Sequence, residues 1–147
     1  MAKTLILDAN ILIRGVLGNR VEPLLERYAG RVSFLTVEEA FEDAAKYVPS
    51  VIKVRGGSEG VQQASLDKLL GFRRFISIVP IDDISHLETL ARKRLSGQDE
   101  DDWPYLALAL LLNAPIWTED TDFFGVGVAT WTSRRIEGFW EEGDDGK

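Results

Sequence analysis

The sequence predicts an α/β fold in which a parallel sheet is covered on both faces by helices. Three observations carry this. Short apolar runs alternate along the chain with segments of helical periodicity. The runs are continuously apolar rather than alternating, as "LIL" at 5–7 shows, and that is the pattern of strands buried on both faces. Acidic residues gather directly after the runs, at the carboxyl ends of strands, where such sheets place their function.

Taken in order, residues 3–7 read as the first strand. Residues 10–17 form a helix that Gly18 ends, and 21–28 a second. Residues 32–35 are a strand. Thr36 is a good N-cap for a helix over 37–47, with Glu39 three residues later completing a capping box and Pro49 stopping the helix. "RGGSEG", 55–60, is the most flexible stretch in the middle of the chain and a candidate flap over a substrate; a helix follows over 61–70. Residues 75–79 are a strand, and 84–95 a helix whose apolar stripe is Leu87, Leu90, Ala91 and Leu95. The helix over 101–112 is apolar almost all round from Tyr105 onward, so it is expected to be buried. Strands over 115–118 and 126–130 complete the sheet.

The 147 residues make one domain over 1–140, followed by an acidic, flexible tail at 141–147. A chain this long buries about two thirds of the surface it exposes when unfolded, so its core needs no staples. There is no cysteine, which removes disulfides, thiolate zinc sites and a cysteine nucleophile. "MAKTLILDAN" has only three consecutive apolar residues, too few for a signal-peptide core or a membrane span. The expected location is the cytoplasm, with no membrane partner. Formal net charge is −7, which argues against gripping nucleic acid through a general basic field. The tail contributes −3. The remaining −4 is what four carboxylates around a divalent cation would account for.

Asp8 directly follows the first strand, and Asp120 and Asp122 follow "PIWT" in the same way. If those strands are neighbours, their end carboxylates converge and repel, and they persist only with a proton or a cation between them. Asp102 opens the buried helix. Acids favour any first helical turn, but Asp102 lies four residues before Leu106 and seven before Ala109, on an inward face. On the 37–47 helix the choices are Glu38, Glu39, Glu42 and Asp43. Glu39 is already used in the capping box, and Glu42 lies at the margin of the buried side. The one histidine, His86, sits on a charged helix as an ordinary surface residue. No nucleophile elbow, P-loop or dinucleotide fingerprint is present. Acid clusters without histidine or cysteine suit Mg²⁺ or Mn²⁺, hard cations that activate water for attack at phosphorus. Arg14, on the helix that begins beside Asp8, is the best placed cation for a phosphate.

"LILDANILIRGVLG", "DWPYLALALLLNAPIWTEDTDFFG" and the acid-bearing helix between them resemble the PIN domain, a family that includes VapC-type ribonuclease toxins. The resemblance runs to about Trp131. It implies a three-layer α/β/α sandwich with a central parallel sheet and a quartet of acids binding Mg²⁺ (or Mn²⁺). By its pattern the quartet is Asp8, Glu42 six residues after Thr36, Asp102 ahead of Ala107 and Ala109, and Asp120, with Asp122 as a supporting fifth. Asp8, Asp102, Asp120 and Asp122 would hold metal; Asn10 and Thr118 match polar positions that orient substrate or water. The implied function is metal-dependent endoribonuclease action on single-stranded RNA, as the toxin of a toxin–antitoxin pair, with a protein antitoxin and a homodimer as partners. The alternative is a non-catalytic PIN-fold module that holds RNA or protein. A phosphatase or receiver domain fits less well, because the first strand lacks D-x-D and there is no lysine-ended strand to match.

Overall fold

The computed structural model describes residues 3–145, with side chains described as far as Trp140. The sheet has five strands: β1 (Lys3–Leu7), β2 (Val32–Val37), β3 (Ile76–Val79), β4 (Ile116–Trp117) and β5 (Thr130–Trp131). All pair in parallel, in the order β3-β2-β1-β4-β5. The chain builds outward from β1 through β2 to β3, then returns to the other side of β1 to lay down β4. The strand order therefore reverses between β1 and β4, and the crevice at their carboxyl ends is where a doubly wound sheet binds ligands.

The helices are α1 (Ala9–Leu17), α2 (Val21–Tyr28), α3 (Glu38–Val54), α4 (Glu59–Gly71), α5 (Glu88–Arg94), α6 (Trp103–Leu112) and α7 (Ile136–Asp145). α1 packs on α2, α3 and α4, while α5 packs on α6 and α6 on β1 and β2. The result is the three-layer sandwich expected from the sequence. Leu5, Ile6 and Leu7 are fully buried, as a central strand requires. So are Leu106, Ala107, Leu108 and Ala109 of α6. Among the described residues, no helix is long and apolar enough to cross a membrane.

Several elements differ from expectation. β2 runs on to Val37, so Thr36 is a strand residue and not a cap. Its buried hydroxyl donates to the Leu7 carbonyl at 2.6 Å, tying the ends of β1 and β2 together. α3 passes through Pro49 to Val54. A mid-helix proline loses one backbone hydrogen bond, but Val48 and Ile52 on either side of it are buried, and that packing outweighs the loss. "RGGSEG" is a tight turn between α3 and α4: Gly56 takes φ +86, and the Ser58 hydroxyl caps α4 by accepting from Val61 N–H at 3.2 Å. The helix expected over 84–95 breaks into a 3-10 turn at Ser85–Leu87 and α5, leaving Leu90 exposed. Residues 126–129 are not strand, since Gly127 has φ +102; the edge strand forms at Thr130–Trp131.

The tail expected at 141–147 falls outside the described side chains. Its backbone to Asp145 continues α7, and residues 146–147 lie outside the described chain. Trp140 docks that helix onto the domain. Its ring stacks on Tyr28 at 3.9 Å and meets Trp117 and Phe34 edge-on at 5.9 and 6.3 Å. Only 2 % of the residue is exposed. Trp140→Ala is expected to lower unfolding stability by about 3–5 kcal/mol, as for other large aromatic truncations in a core. Chemical denaturation followed by far-UV circular dichroism checks this; a loss below 1 kcal/mol would place α7 outside the cooperative unit.

Candidate metal centre

The site is built at the reversal of strand order. Ile6 pairs with Ile116 and Leu7 with Trp117. The next residues on the two strands are Asp8 and Thr118, so parallel pairing delivers them side by side. Asp8 is only 3 % exposed. It caps α1, one carboxylate oxygen accepting from Ile11 N–H at 3.0 Å, while the other accepts from the Thr118 hydroxyl. The Thr118 oxygen in turn accepts from Asp120 N–H at 2.8 Å, and Asp120 Oδ1 accepts from Asp122 N–H at 2.9 Å. One relay of hydrogen bonds thus runs from the end of β1 into the turn after β4.

That turn is held by its aromatic residue. Phe123 is buried and meets Tyr105 edge-on, centroids 6.4 Å apart. Tyr105 lies in the first turn of α6, next to the residue that opens it. Asp102 occupies the N-cap position of α6 but makes no capping bond, so its carboxylate is left for other work. Asp101 is not the cap either; it is exposed and pairs with Arg92 at 3.6 Å. The apolar docking of Phe123 therefore draws the acids of "TEDTDFFG" to the acid that opens α6. Carboxylate oxygens of Asp102, Asp120 and Asp122 all lie within 4.8 Å of one another.

These acids sit at the head of a cavity of about 700 Å³ between α1 and α3. α1 contributes Asn10, Ile13, Arg14 and Leu17 to its wall. α3 contributes Asp43, Tyr47 and Val51, and its C-cap residue Arg55. Asp99 and Glu119 also reach it, Glu119 being held by Ser133 N–H at 2.6 Å. Of the residues singled out in the sequence, Asp8, Asn10, Arg14, Asp102 and Asp120 line the cavity, and Thr118 is buried behind Asp8. Asp122 belongs to the carboxylate cluster.

Glu42 does not join them. Glu42 and the next residue, Asp43, are both exposed, but Asp43 lines the cavity wall and Glu42 does not. The cause is helical phase. β2 extends two residues further than expected, α3 starts at Glu38, and the stripe facing the site is the i, i+4 series 43, 47, 51, 55. Glu39 lies one i+4 step before that stripe and does not line the cavity. Since Thr36 is not a cap, the capping box does not form, and one Glu39 carboxylate oxygen is buried without a hydrogen-bond partner. The i+4 spacing of Asp43, Tyr47, Val51 and Arg55 was present in the sequence and is the signal that finds them.

The electrostatics match the geometry. Burial pushes the Asp8 carboxyl up to about 6 from 3.8; the bonds from Thr118 and Ile11 pull it down, and Asp120 and Glu119 push it up again. Burial followed by Asp99, Asp120, Asp8 and Asp122 pushes Asp102 up to about 7. Burial first, and then Asp8, Asp43 and Asp102, hold the Tyr105 phenol above its ordinary value. Asp43 therefore shares one field with the acids of the sheet end. An all-oxygen donor set, crowded enough to retain protons near neutrality, fits a hard divalent cation such as Mg²⁺ or Mn²⁺.

A family model for the PIN domain matches residues 6–139. The chain belongs to the PIN domain family. No curated protein matches it in sequence. As a PIN domain it resembles three solved structures in fold. VapBC2 from Rickettsia felis, bound to a DNA fragment from its promoter, superposes with a TM-score of 0.66 at 15% identity, over 88% of this chain and 98% of that one. PAE2754 of Pyrobaculum aerophilum gives 0.66 at 15%, over 97% and 99%. A toxin–antitoxin complex from Klebsiella pneumoniae gives 0.54 at 22%, over 88% and 97%.

The raised carboxyls set the pH dependence of the metal-free PIN domain. Between pH 3.8 and about 7 the folded chain holds protons on Asp8 and Asp102 that the unfolded chain has released. Stability therefore falls as pH rises through that window. Metal-free protein is expected to melt at a higher temperature at pH 5 than at pH 8, with Mg²⁺ narrowing the difference. Asp102→Asn should raise the metal-free Tm at pH 8 by about 2–4 °C, the shift that about 1 kcal/mol makes in a chain this size. The figure is kept to that order because Asp102 is half-exposed and solvent screens part of the repulsion. Calorimetric melts across pH check both; a Tm that climbs from pH 5 to 8 without metal contradicts them.

Proposed function

We propose that this PIN domain is a metal-dependent endoribonuclease that hydrolyses single-stranded RNA. The observation that carries the reading is the convergence of acids from four separate segments on one cavity: Asp8, Asp43, Asp102 and Asp120. Asp8, Asp102, Asp120 and Asp122 would hold Mg²⁺ or Mn²⁺, and Asp43 replaces Glu42 as the helix carboxylate. When bound, the cation supplies an activated water and offsets charge on the phosphate oxygens.

The chain's own residues do the rest. Thr118 fixes the Asp8 carboxylate by donating to it, and Ile11 N–H holds the other oxygen, so Asp8 is oriented before any ligand arrives. Asp43 faces the sheet-end acids across the cavity, where a carboxylate can accept a proton from water. Asn10 and Arg14 stand one turn apart on α1, offering amide and guanidinium donors to the substrate. Two of the similar structures carry toxin–antitoxin names, and they support a toxin role and a protein antitoxin for this chain. A homodimer and a cytoplasmic site of action belong to the same proposal.

The test is cleavage of a labelled single-stranded RNA with Mn²⁺ or Mg²⁺ by purified protein. Asp8→Asn, Asp43→Asn and Asp120→Asn should each lower the rate by about 100-fold or more, since even outer-shell partners of metal ligands are worth that order. Glu42→Gln should leave it within about twofold, as expected of a surface change away from the cavity. Full cleavage by Asp8→Asn, or loss with Glu42→Gln and not with Asp43→Asn, would refute the assignment.

A further inference from the structure

The cavity continues well past its acids. α1 follows β1 and α3 follows β2, two adjacent parallel strands, so both helices begin at the carboxyl edge of the sheet and run back from it together. Along α3 and its C-cap the facing stripe is Asp43, Tyr47, Val51 and Arg55, at i+4 intervals. Tyr47 is one turn beyond Asp43, about 6 Å along the axis, and Arg55 two turns further, about 12 Å. On the opposite wall Arg14 stands one turn beyond Asn10. The groove therefore has carboxylates at its head, an aromatic ring next, and arginines farther along.

Two features of this stripe are unexplained by packing. Tyr47 is 54% exposed although it points into a groove, with Val51 half-buried beside it. Arg14 and Arg55 are exposed in a site crowded with carboxylates, yet among the described residues neither forms an ion pair. An open aromatic face between an acid cluster and unpaired guanidinium groups matches the chemistry of unpaired nucleic acid, in which bases stack on aromatic rings and phosphates pair with cations. It does not match a duplex, whose bases are already stacked on one another. The net negative charge of the chain makes these local cations necessary for any polyanion to approach.

We propose that the α1–α3 groove is the track for the single strand: Tyr47 stacks on a base next to the scissile phosphate, and Arg55, with Arg14 opposite, binds phosphates of the neighbouring nucleotides. This rests on the nuclease reading and names the residues that make it specific for single strands.

Binding and cleavage separate the two ideas. Binding is read by fluorescence anisotropy on full chain carrying Asp120→Asn, so that the probe is not consumed. The probe is a labelled single-stranded RNA of about 12 nucleotides, within the range one such site covers. Adding Tyr47→Ala should weaken binding about tenfold, the order one stacked base is worth, and Tyr47→Phe should leave it within about twofold. Arg55→Gln should weaken binding and lower the slope of log affinity against log salt by about 1. The same sequence as a duplex should bind about tenfold more weakly or worse. Both side chains are exposed, so unchanged melting temperatures are expected and serve as the folding control. Equal affinity of Tyr47→Ala and its parent, equal affinity for duplex, or no binding by the parent would overturn the track. Cleavage is then measured with Asp120 intact. Tyr47-dependent binding without cleavage defeats the nuclease reading and keeps the track; cleavage unchanged by Tyr47→Ala defeats the track and keeps the nuclease.

Discussion

Everything at the carboxyl edge of this sheet depends on negative charges being held closer together than water alone would let them rest. Asp8 is buried, Asp102 half-buried, and Asp120 and Asp122 lie within one ligand shell of Asp102. Folding gains nothing from that crowding. It is imposed by stronger terms: the pairing of β1 with β4, the capping of α1 by Asp8, and the docking of Phe123 on Tyr105. The excess free energy of burying these carboxyls, with their mutual repulsion added to it, is stored in the native state and raises Asp8 to about 6 and Asp102 to about 7. A divalent cation would release it.

The supports are of two kinds. Asp8, Thr118, Asp120 and Asp122 are joined by a hydrogen-bond relay, so the first-strand acid and the last turn move as one unit. Around them is close-packed hydrocarbon: Leu5–Leu7 of β1, the fully buried stretch of α6, and Trp117 of β4. Acids placed by strand pairing and rigid core packing keep their geometry without a ligand, the condition for a preorganised site. The flanks differ in kind. α1 and α3 present exposed side chains at helical intervals, suited to binding an extended ligand along their length.

Much of this was legible in the residues. The apolar run before Asp8 placed that acid at a strand end, and the apolar phase of α6 singled out Asp102 within "DEDD". Parallel topology and the meeting of Asp8 with the segment after β4 followed from the alternation of strands and helices. The misses arise where strand pairing, core packing or local glycine conformation moves an element boundary that a simpler local signal had set. Thr36 carries a strong cap signal, but pairing with β3 continues through Thr36 and Val37. The start of α3 moved one residue along, to Glu38. Pro49 signals a stop, yet buried Val48 and Ile52 carry α3 past it. The glycines at 125 and 127 take positive φ, which displaced the last strand to Thr130–Trp131.

The most direct measurement of the central claim is proton release on metal binding. Mn²⁺ is titrated calorimetrically into the wild-type chain in buffers of different ionisation enthalpy, at pH 6 and again well above pH 7. If the cation relieves the burial and repulsion that raise these carboxyls, binding at pH 6 expels protons from Asp8 and Asp102, and binding at the higher pH expels none. Saturable binding with the same proton count at both pH values, or no saturable binding at all, would contradict the account.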